Sequence, residues 1–173
     1  LILYLSLINF MKKIILYFIF LGLVNNIISQ DKSFEKLVTI GVSQPILDNG
    51  KGVHVGFNPS FKLTKSISLE SQFSYIYTNI DSYFLSGDYG QSSDVNLLCG
   101  GRFYLNSHEN KNRFFINLLI GLNYERDDRF GREIREEYSL GFALGGYYRI
   151  KKINFGLTYD THHIVFKCGY SFW

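Results

Sequence analysis

From Lys36 onward the apolar residues of this chain return at every second position, and they keep that rhythm through segment after segment. A period of two is the signature of a β-strand whose two faces meet different surroundings, whereas a helix would repeat near 3.6. In "GVHVGFNPSFKL", Val53, Val55, Phe57, Phe61 and Leu63 share one face, and His54, Gly56, Asn58, Ser60 and Lys62 the other. "ISLESQFSYIYT" sets Ile67, Leu69, Phe73, Tyr75 and Tyr77 against Ser68, Glu70, Gln72 and Ser74. The same pattern runs through "LVTIGVSQ", "DVNLLCGGRFYL", "RFFINLLIGLNYE", "YSLGFALGGYYRI", "INFGLTYD" and "IVFKCGYSFW", which makes eight strands.

The stretches between them differ in length and are polar. "TKS" (64–66), "NSHENKN" (106–112) and "KK" (151–152) form one set of turns. The other set is "ILDNGK" (46–51), "NIDSYFLSGDYGQSS" (79–93), "RDDRFGREIREE" (126–137) and "THH" (161–163). Because the two sets alternate, they fall at opposite ends of an up-and-down antiparallel sheet. Nothing marks a linker, a repeat array or a second domain within this part.

The next question is which face looks inward. The apolar face is broad and bulky, as in Leu118, Ile120, Leu122, Leu140, Phe142 and Leu144. The opposite face carries Ser, Asn, Thr, isolated charges and many glycines, among them Gly41, Gly56, Gly100, Gly121, Gly141, Gly145, Gly156 and Gly169. Small side chains suit the crowded inside of a closed eight-stranded barrel. The bulky side then points outward, which only lipid tolerates. Aromatic residues cluster toward both strand ends: Tyr75, Tyr77, Tyr124, Tyr138 and Tyr159 beside the longer connections, and Phe61, Phe103, Phe114, Tyr148, Phe155 and Phe172 beside the turns. Two such belts mark a transmembrane barrel. An edge strand in lipid would leave its amides without partners, so the last strand is expected to pair with the first. The opposite arrangement, a lipocalin-like periplasmic binder, would need an apolar cavity and a polar exterior.

Ahead of the strands, "MKKIILYFIFLGLVNNIISQ" has two lysines, an apolar run from Ile14 to Val24 and a small residue at Ser29, the layout of a secretory signal. The reading is a signal-peptide helix over 11–29, a barrel domain over 30–173, and an upstream mistranslated extension over 1–10. A membrane anchor over Leu1 to Val24 is the competing view, but Lys12 and Lys13 divide it into segments shorter than the ~20 apolar residues of a helical span. Without those two lysines, the 18 basic residues become 16, against 15 acidic. A domain so close to neutral, with no basic stripe, is not expected to bind nucleic acid.

The signal, the eight alternating strands and the aromatic end "YSFW" resemble the small outer-membrane β-barrels of Gram-negative bacteria, similar to the barrel of outer-membrane protein A and to the compact barrels of Bacteroidetes. That resemblance covers roughly 36–173. It implies a cell outer membrane location, no cofactor, and contact with outer-membrane lipid and lipopolysaccharide. It also implies recognition of the final strand by the barrel assembly machinery, a role carried to Tyr170, Phe172 and Trp173. The chain is expected to be a monomer.

Three groups of polar residues stand out. With the 79–93 connection centred near residue 86, Glu70 is expected opposite Arg102, with Lys62 and Arg149 projecting into the same half of the lumen. Such a set would plug the tube and hold strand register, or gate ions. Arg126, Arg129, Arg132 and Arg135 are interleaved with six acids, and mixed signs favour a self-paired loop over a docking patch; contact with lipopolysaccharide phosphates is the functional alternative. His162, His163 and Asp160 are expected at the outer rim, with His54 in the lumen. Some barrels of this size modify lipid A with a serine, a histidine and an acid placed together; "THHIVF" runs straight into apolar residues, so no catalysis and no metal is expected. Cys99 and Cys168 should both face outward from strands four and eight, too far apart to bridge. Pro59, inside a strand, is expected to produce a bulge.

Overall fold

A computed structural model describes residues 34–82, 90–106, 112–129 and 134–172. The readings for 1–29 and for Trp173 lie outside these residues. Eight strands follow one another: β1 (Phe34–Pro45), β2 (Asn49–Lys62), β3 (Ile67–Ser82), β4 (Gly90–Tyr104), β5 (Asn112–Arg129), β6 (Arg135–Ile150), β7 (Ile153–Asp160) and β8 (His163–Phe172). Each pairs antiparallel with its chain neighbour, and β1 closes on β8 with Lys36 opposite Phe172 and Pro45 opposite His163. Closure leaves no edge, so every strand finds ladder partners on both sides.

The inside-out reading holds. Val53, Val55, Leu118, Ile120, Leu122, Leu140 and Leu144 stand on the outside of the barrel, while Ser74, Asn96, Asn117, Asn123 and Gln72 are buried within it. Rows of rings run across neighbouring strands on the outer surface, as in Phe114 opposite Tyr148 and Tyr148 opposite Phe155 at one end, and Tyr124 against Tyr138 at the other, with ring centres 5.0 Å apart. Both cysteines are free, Cys99 and Cys168 lying on the outward parity of β4 and β8.

Four expectations need correction. The interior is not filled by small and polar groups alone: Phe115 stacks on Tyr147 at 4.9 Å and leans on Tyr104 at 5.3 Å, all three inside. Glycines make the room, since a Cβ on Gly156 would sit 2.4 Å from the Tyr147 ring. Pro59 produces no bulge. The pairs Phe57–Phe73 and Ser60–Glu70 keep one register across it, and the only shift in this hairpin is at Asn49/Gly50. Pro59 lies on the outward parity and costs local pairing without adding a residue. Within the stretches 79–93 and 126–137, residues 79–82, 90–93, 126–129 and 135–137 are strand rather than loop: Ile80 pairs with Gly90 and Asp127 with Arg135. Alternation fades there because both faces carry polar side chains, yet the backbone ladder continues. "ILDNGK" likewise shrinks, as β2 already begins at Asn49.

The wall is uneven in height. β7 stops pairing with β6 at Ala143–Asp160, whereas β6 begins at Arg135. The β7–β8 turn is a two-residue hairpin in which Thr161 adopts a left-handed backbone, φ 47°. That conformation costs a non-glycine residue about 1–2 kcal/mol, and it is tied down on two sides. The Thr161 amide donates to the Phe142 carbonyl at 2.8 Å, and its hydroxyl donates to Asn96 Oδ1 at 3.2 Å. The mouth opposite the Phe34 and Phe172 strand ends is therefore cut obliquely, with the β5–β6 hairpin rising above the β7–β8 turn.

Candidate functional site: the charged lumen and its mouth

The lumen divides into two polar clusters. Nearest the Phe34 and Phe172 strand ends, Arg102 Nε donates to Glu70 Oε2 at 2.7 Å and its Nη1 to Glu35 Oε1 at 2.8 Å. Arg149 donates from Nη1 to Glu35 Oε2 at 2.8 Å, from Nη2 to Glu35 Oε1 and Ser171, and from Nε to Asn154 at 2.8 Å. The Arg102 guanidinium also lies 4.6 Å from the centre of the Phe115 ring. All four charged side chains are buried. Two guanidiniums and two carboxylates cancel, which is the condition under which buried charge is tolerated.

This set differs from the expected one. Glu70 and Arg102 do meet, but diagonally: Arg102 faces Ser68 and Glu70 faces Gly100, because the hairpin is centred one residue earlier than 86. Arg149 belongs to the cluster. Lys62, at the end of β2 and half-buried, does not take part. The central acceptor is Glu35, which the sequence reading missed by beginning its first strand at Leu37. The parity of β1 carries the signal: Glu35, Leu37, Thr39 and Ser43 all fall on the inward, buried face.

Above it lies a second cluster. Lys167 Nζ donates to Asp160 Oδ2 at 2.6 Å, and Gln72 Nε2 reaches the same oxygen at 3.3 Å. Gln72 Oε1 accepts from Asn58 Nδ2 at 3.1 Å, and Asn58 donates to Glu70 Oε1 at 2.7 Å, so one hydrogen-bonded chain links the two clusters through the tube. Asp160 and His163 are thus lumen groups rather than rim groups; both are buried, and only His162 is exposed at the surface. The short β7–β8 hairpin explains this, since it ends low inside the wall. His54 is in the lumen as expected, its Nε2 standing 3.9 Å from Asp160 Oδ2.

At the base of the mouth, Thr78 Oγ1 and His163 Nε2 are 3.2 Å apart and His163 Nδ1 is 3.8 Å from Asp94 Oδ2. A hydroxyl, an imidazole and a carboxylate in a row resemble an acyl-transfer triad. Thr78, however, is wholly buried and does not line the mouth, so its oxygen has no open side for a substrate carbonyl. What the row does instead is fix the His163 ring.

Over this base opens a cavity of about 640 Å³. Glu125, Asp127, Arg135 and Glu137 of the tall β5–β6 hairpin form one wall. Pro45, Ile46 and Leu47 of the β1–β2 turn contribute another. Arg135 Nη2 donates to Glu137, and His162 Nε2 lies 3.6 Å from Glu125 Oε2. Burial and the neighbouring charges of Asp127 and Glu137 push the Glu125 carboxyl above its usual range. Of the four arginines singled out earlier, Arg126 lies on the outward parity of β5, 3.9 Å from Glu136, and Arg135 lines the cavity. Arg129 ends β5 with its side chain outside the described residues, and Arg132 is outside them altogether. Of the terminal aromatics, Tyr170 projects outward and Phe172 is half-buried.

No family model and no curated protein matches the chain. Solved structures do. The outer membrane protein OprG from Pseudomonas aeruginosa is 10% identical with a TM-score of 0.53, covering 81% of this chain and 96% of OprG. Ail, the attachment invasion locus protein of Yersinia pestis, solved in complex with the heparin analogue sucrose octasulfate, is 16% identical with a TM-score of 0.50 and covers 81% of this chain and 99% of Ail. The chain has the fold of these small eight-stranded outer-membrane barrels.

Proposed function

We propose that this protein is an integral barrel of a Gram-negative outer membrane, with a lumen closed to solutes and a role in envelope structure or surface interaction. The observation that carries the reading is the inverted distribution of side chains. Leucines, valines and phenylalanines clothe the outside, and the buried charges and amides lie within. Water would penalise that exterior across its whole band, whereas acyl chains would not. The neutral Glu35–Glu70–Arg102–Arg149 cluster, linked onward to Asp160 and Lys167, fills the tube, which supports a plug rather than an ion path.

By the same reading the Phe34 and Phe172 strand ends and the turns at 63–66 and 151–152 face the periplasm and the β5–β6 hairpin faces outside. Tyr170 and Phe172 then present the aromatic face of the last strand to the assembly machinery, and Arg126, on the outward parity of β5, is the described arginine placed to meet lipopolysaccharide phosphate. The test is fractionation followed by a gel run with and without boiling. The protein is expected in the outer-membrane fraction with a folded form that shifts on heating. Recovery as a soluble periplasmic protein would overturn the proposal.

A further inference from the structure

One stretch of the wall is paired on one side only. β6 runs from Arg135 to Ile150, but its ladder with β7 ends at Ala143–Asp160. Just above that end the Thr161 amide donates to the Phe142 carbonyl at 2.8 Å, and the Phe142 amide donates to Thr161 Oγ1 at 3.3 Å. The N–H and C=O of Phe142 therefore point away from β5. Alternate residues of an antiparallel strand point the same way, so the peptide groups of Leu140, Tyr138 and Glu136 do so too. Among the described residues no strand pairs with these three on that side and no hydrogen bond reaches their peptide groups there.

Native sheets guard such an edge with proline, a bulge, lysine or a cover. The segment from Arg135 to Gly141 holds neither proline nor lysine, and the β5–β6 register runs unshifted from Asp127–Arg135 to Asn112–Ile150. The side chains at the free ladder positions point outward, Tyr138 being 79% and Leu140 69% exposed. The charges above them are already met, Glu136 by Arg126 and Glu137 by Arg135. Backbone and apolar surface are what this edge offers. Tyr138 packs against Tyr124 in the aromatic belt, which sets the lower part of the edge at the bilayer surface. An unmet peptide group costs more the closer it lies to hydrocarbon.

We propose that this edge docks an extended segment of another polypeptide, which adds to the wall as a strand antiparallel to β6, directly above the β7–β8 turn. Donors and acceptors on every second residue along an unbroken edge match the backbone of a strand. Because Phe142 is already taken by Thr161, the docked segment covers Glu136 to Leu140. Its side chains opposite Tyr138 and Leu140 face outward and are apolar, and those between them face the mouth and are polar. A second copy in the same bilayer fits poorly. Rotation about the membrane normal keeps both β6 strands running the same way and sets the outer face of one sheet beside the inner face of the other. The inference deepens the surface-interaction reading and rests on it for the side of the membrane on which the partner is met.

The probe is acetyl-Val-Thr-Val-Lys-Lys-amide with a fluorophore on its last lysine, which sets valines opposite Leu140 and Tyr138. It is titrated by fluorescence anisotropy into the purified barrel in phosphatidylcholine nanodiscs, with empty nanodiscs subtracted. Saturable binding is expected. Methylating the amide of the second valine, which faces the edge, should weaken binding about tenfold or more, whereas methylating the threonine amide, which faces away, should not. Tyr138→Pro removes an N–H that points off the wall, a position where a sheet edge tolerates proline, and should weaken binding by the same factor. Tyr138→Val loses the ring, keeps the N–H and should weaken it less. Heat-modifiability shows that each variant is folded. The proposal fails if binding does not saturate, if the two methylated peptides bind alike, if folded Tyr138→Pro binds as the parent does, if Tyr138→Val binds as weakly as Tyr138→Pro, or if the barrel pairs with itself through this edge and Tyr138→Pro restores the monomer. Labelling of intact cells by the same peptide tests orientation separately: binding in nanodiscs without labelling of cells would overturn the outward placement of the mouth and leave the docking edge standing.

Discussion

The two halves of this lumen hold similar side chains and treat them differently. Toward the Phe34 and Phe172 strand ends, each carboxylate and guanidinium is met by a partner at hydrogen-bond distance; among the described residues there, the buried polar atoms without one are Arg102 Nη2, both amide atoms of Asn117 and Tyr147 Oη. Toward the mouth, Ser43 Oγ, both nitrogens of His54, Asp94 Oδ2, Asn96 Nδ2 and His163 Nδ1 all lack partners. Buried polar atoms are normally satisfied by protein or by water. Below, the gaps fall mainly on neutral groups; above, they fall also on carboxylates and imidazoles, those of Asp94, Asp160, His54 and His163. Rigidity is expected at one end and chemical adaptability at the other.

The largest way to break this contrast is Glu35→Gln. Arg102 and Arg149 would keep their charge in a dry site with half the compensation gone, and losing one partner of a buried pair costs about 3–5 kcal/mol. Urea unfolding in lipid should show a loss of that order. Asp160→Asn strands one buried ammonium, that of Lys167, rather than two guanidiniums, so the loss should be smaller, toward the lower end of that range. If the two variants lose equal stability in the same assay, the halves are not distinct. His54→Leu sharpens the point from the other side. Neither ring nitrogen has a partner, so an apolar replacement of similar reach should be neutral or stabilising, within about 1 kcal/mol; a large loss would mean the upper chamber is as tightly bonded as the lower.

The smallest effect concerns pH at the mouth. The folded Glu125 carboxyl sits above its ordinary value of 4.5, so the folded state holds that proton more tightly than the unfolded chain does. Its contribution to stability is therefore present below 4.5 and declines as pH rises from there through the raised folded value. Glu125→Gln should flatten the stability curve over that window, by less than about 1 kcal/mol for a partly exposed group. An unchanged slope would mean that Asp127 and Glu137 do not press on Glu125.

Much of this architecture was readable from parity. In an antiparallel barrel the two faces of each strand meet different media, so eight alternating segments specify strand number, order and orientation of side chains, and Glu70, Arg102, Arg149 and His54 all fall inside as alternation requires. Register was less readable, because a hairpin's centre depends on its tip; the β3–β4 centre lies one residue before the assumed position, which turns a direct Glu70–Arg102 pair into a diagonal one. Strand ends were hardest. Where both faces are polar, alternation no longer reports the ladder, so Arg126 and Arg135 read as loop residues. Glu35 was lost just outside a boundary set by hydrophobicity. The row in which Asp94 faces Glu125 and Glu125 faces Glu137 depends on the registers of three strands at once, and no local pattern in any one of them announces it.

The central claim is that the bulky apolar face meets lipid, and Cys99, free and exposed on that face, is placed to report on it. In the Cys168→Ser background, a nitroxide on Cys99 in a bilayer should collide readily with dissolved oxygen and little with a water-soluble nickel chelate. Strong nickel accessibility with weak oxygen accessibility would place that face in water and contradict the account.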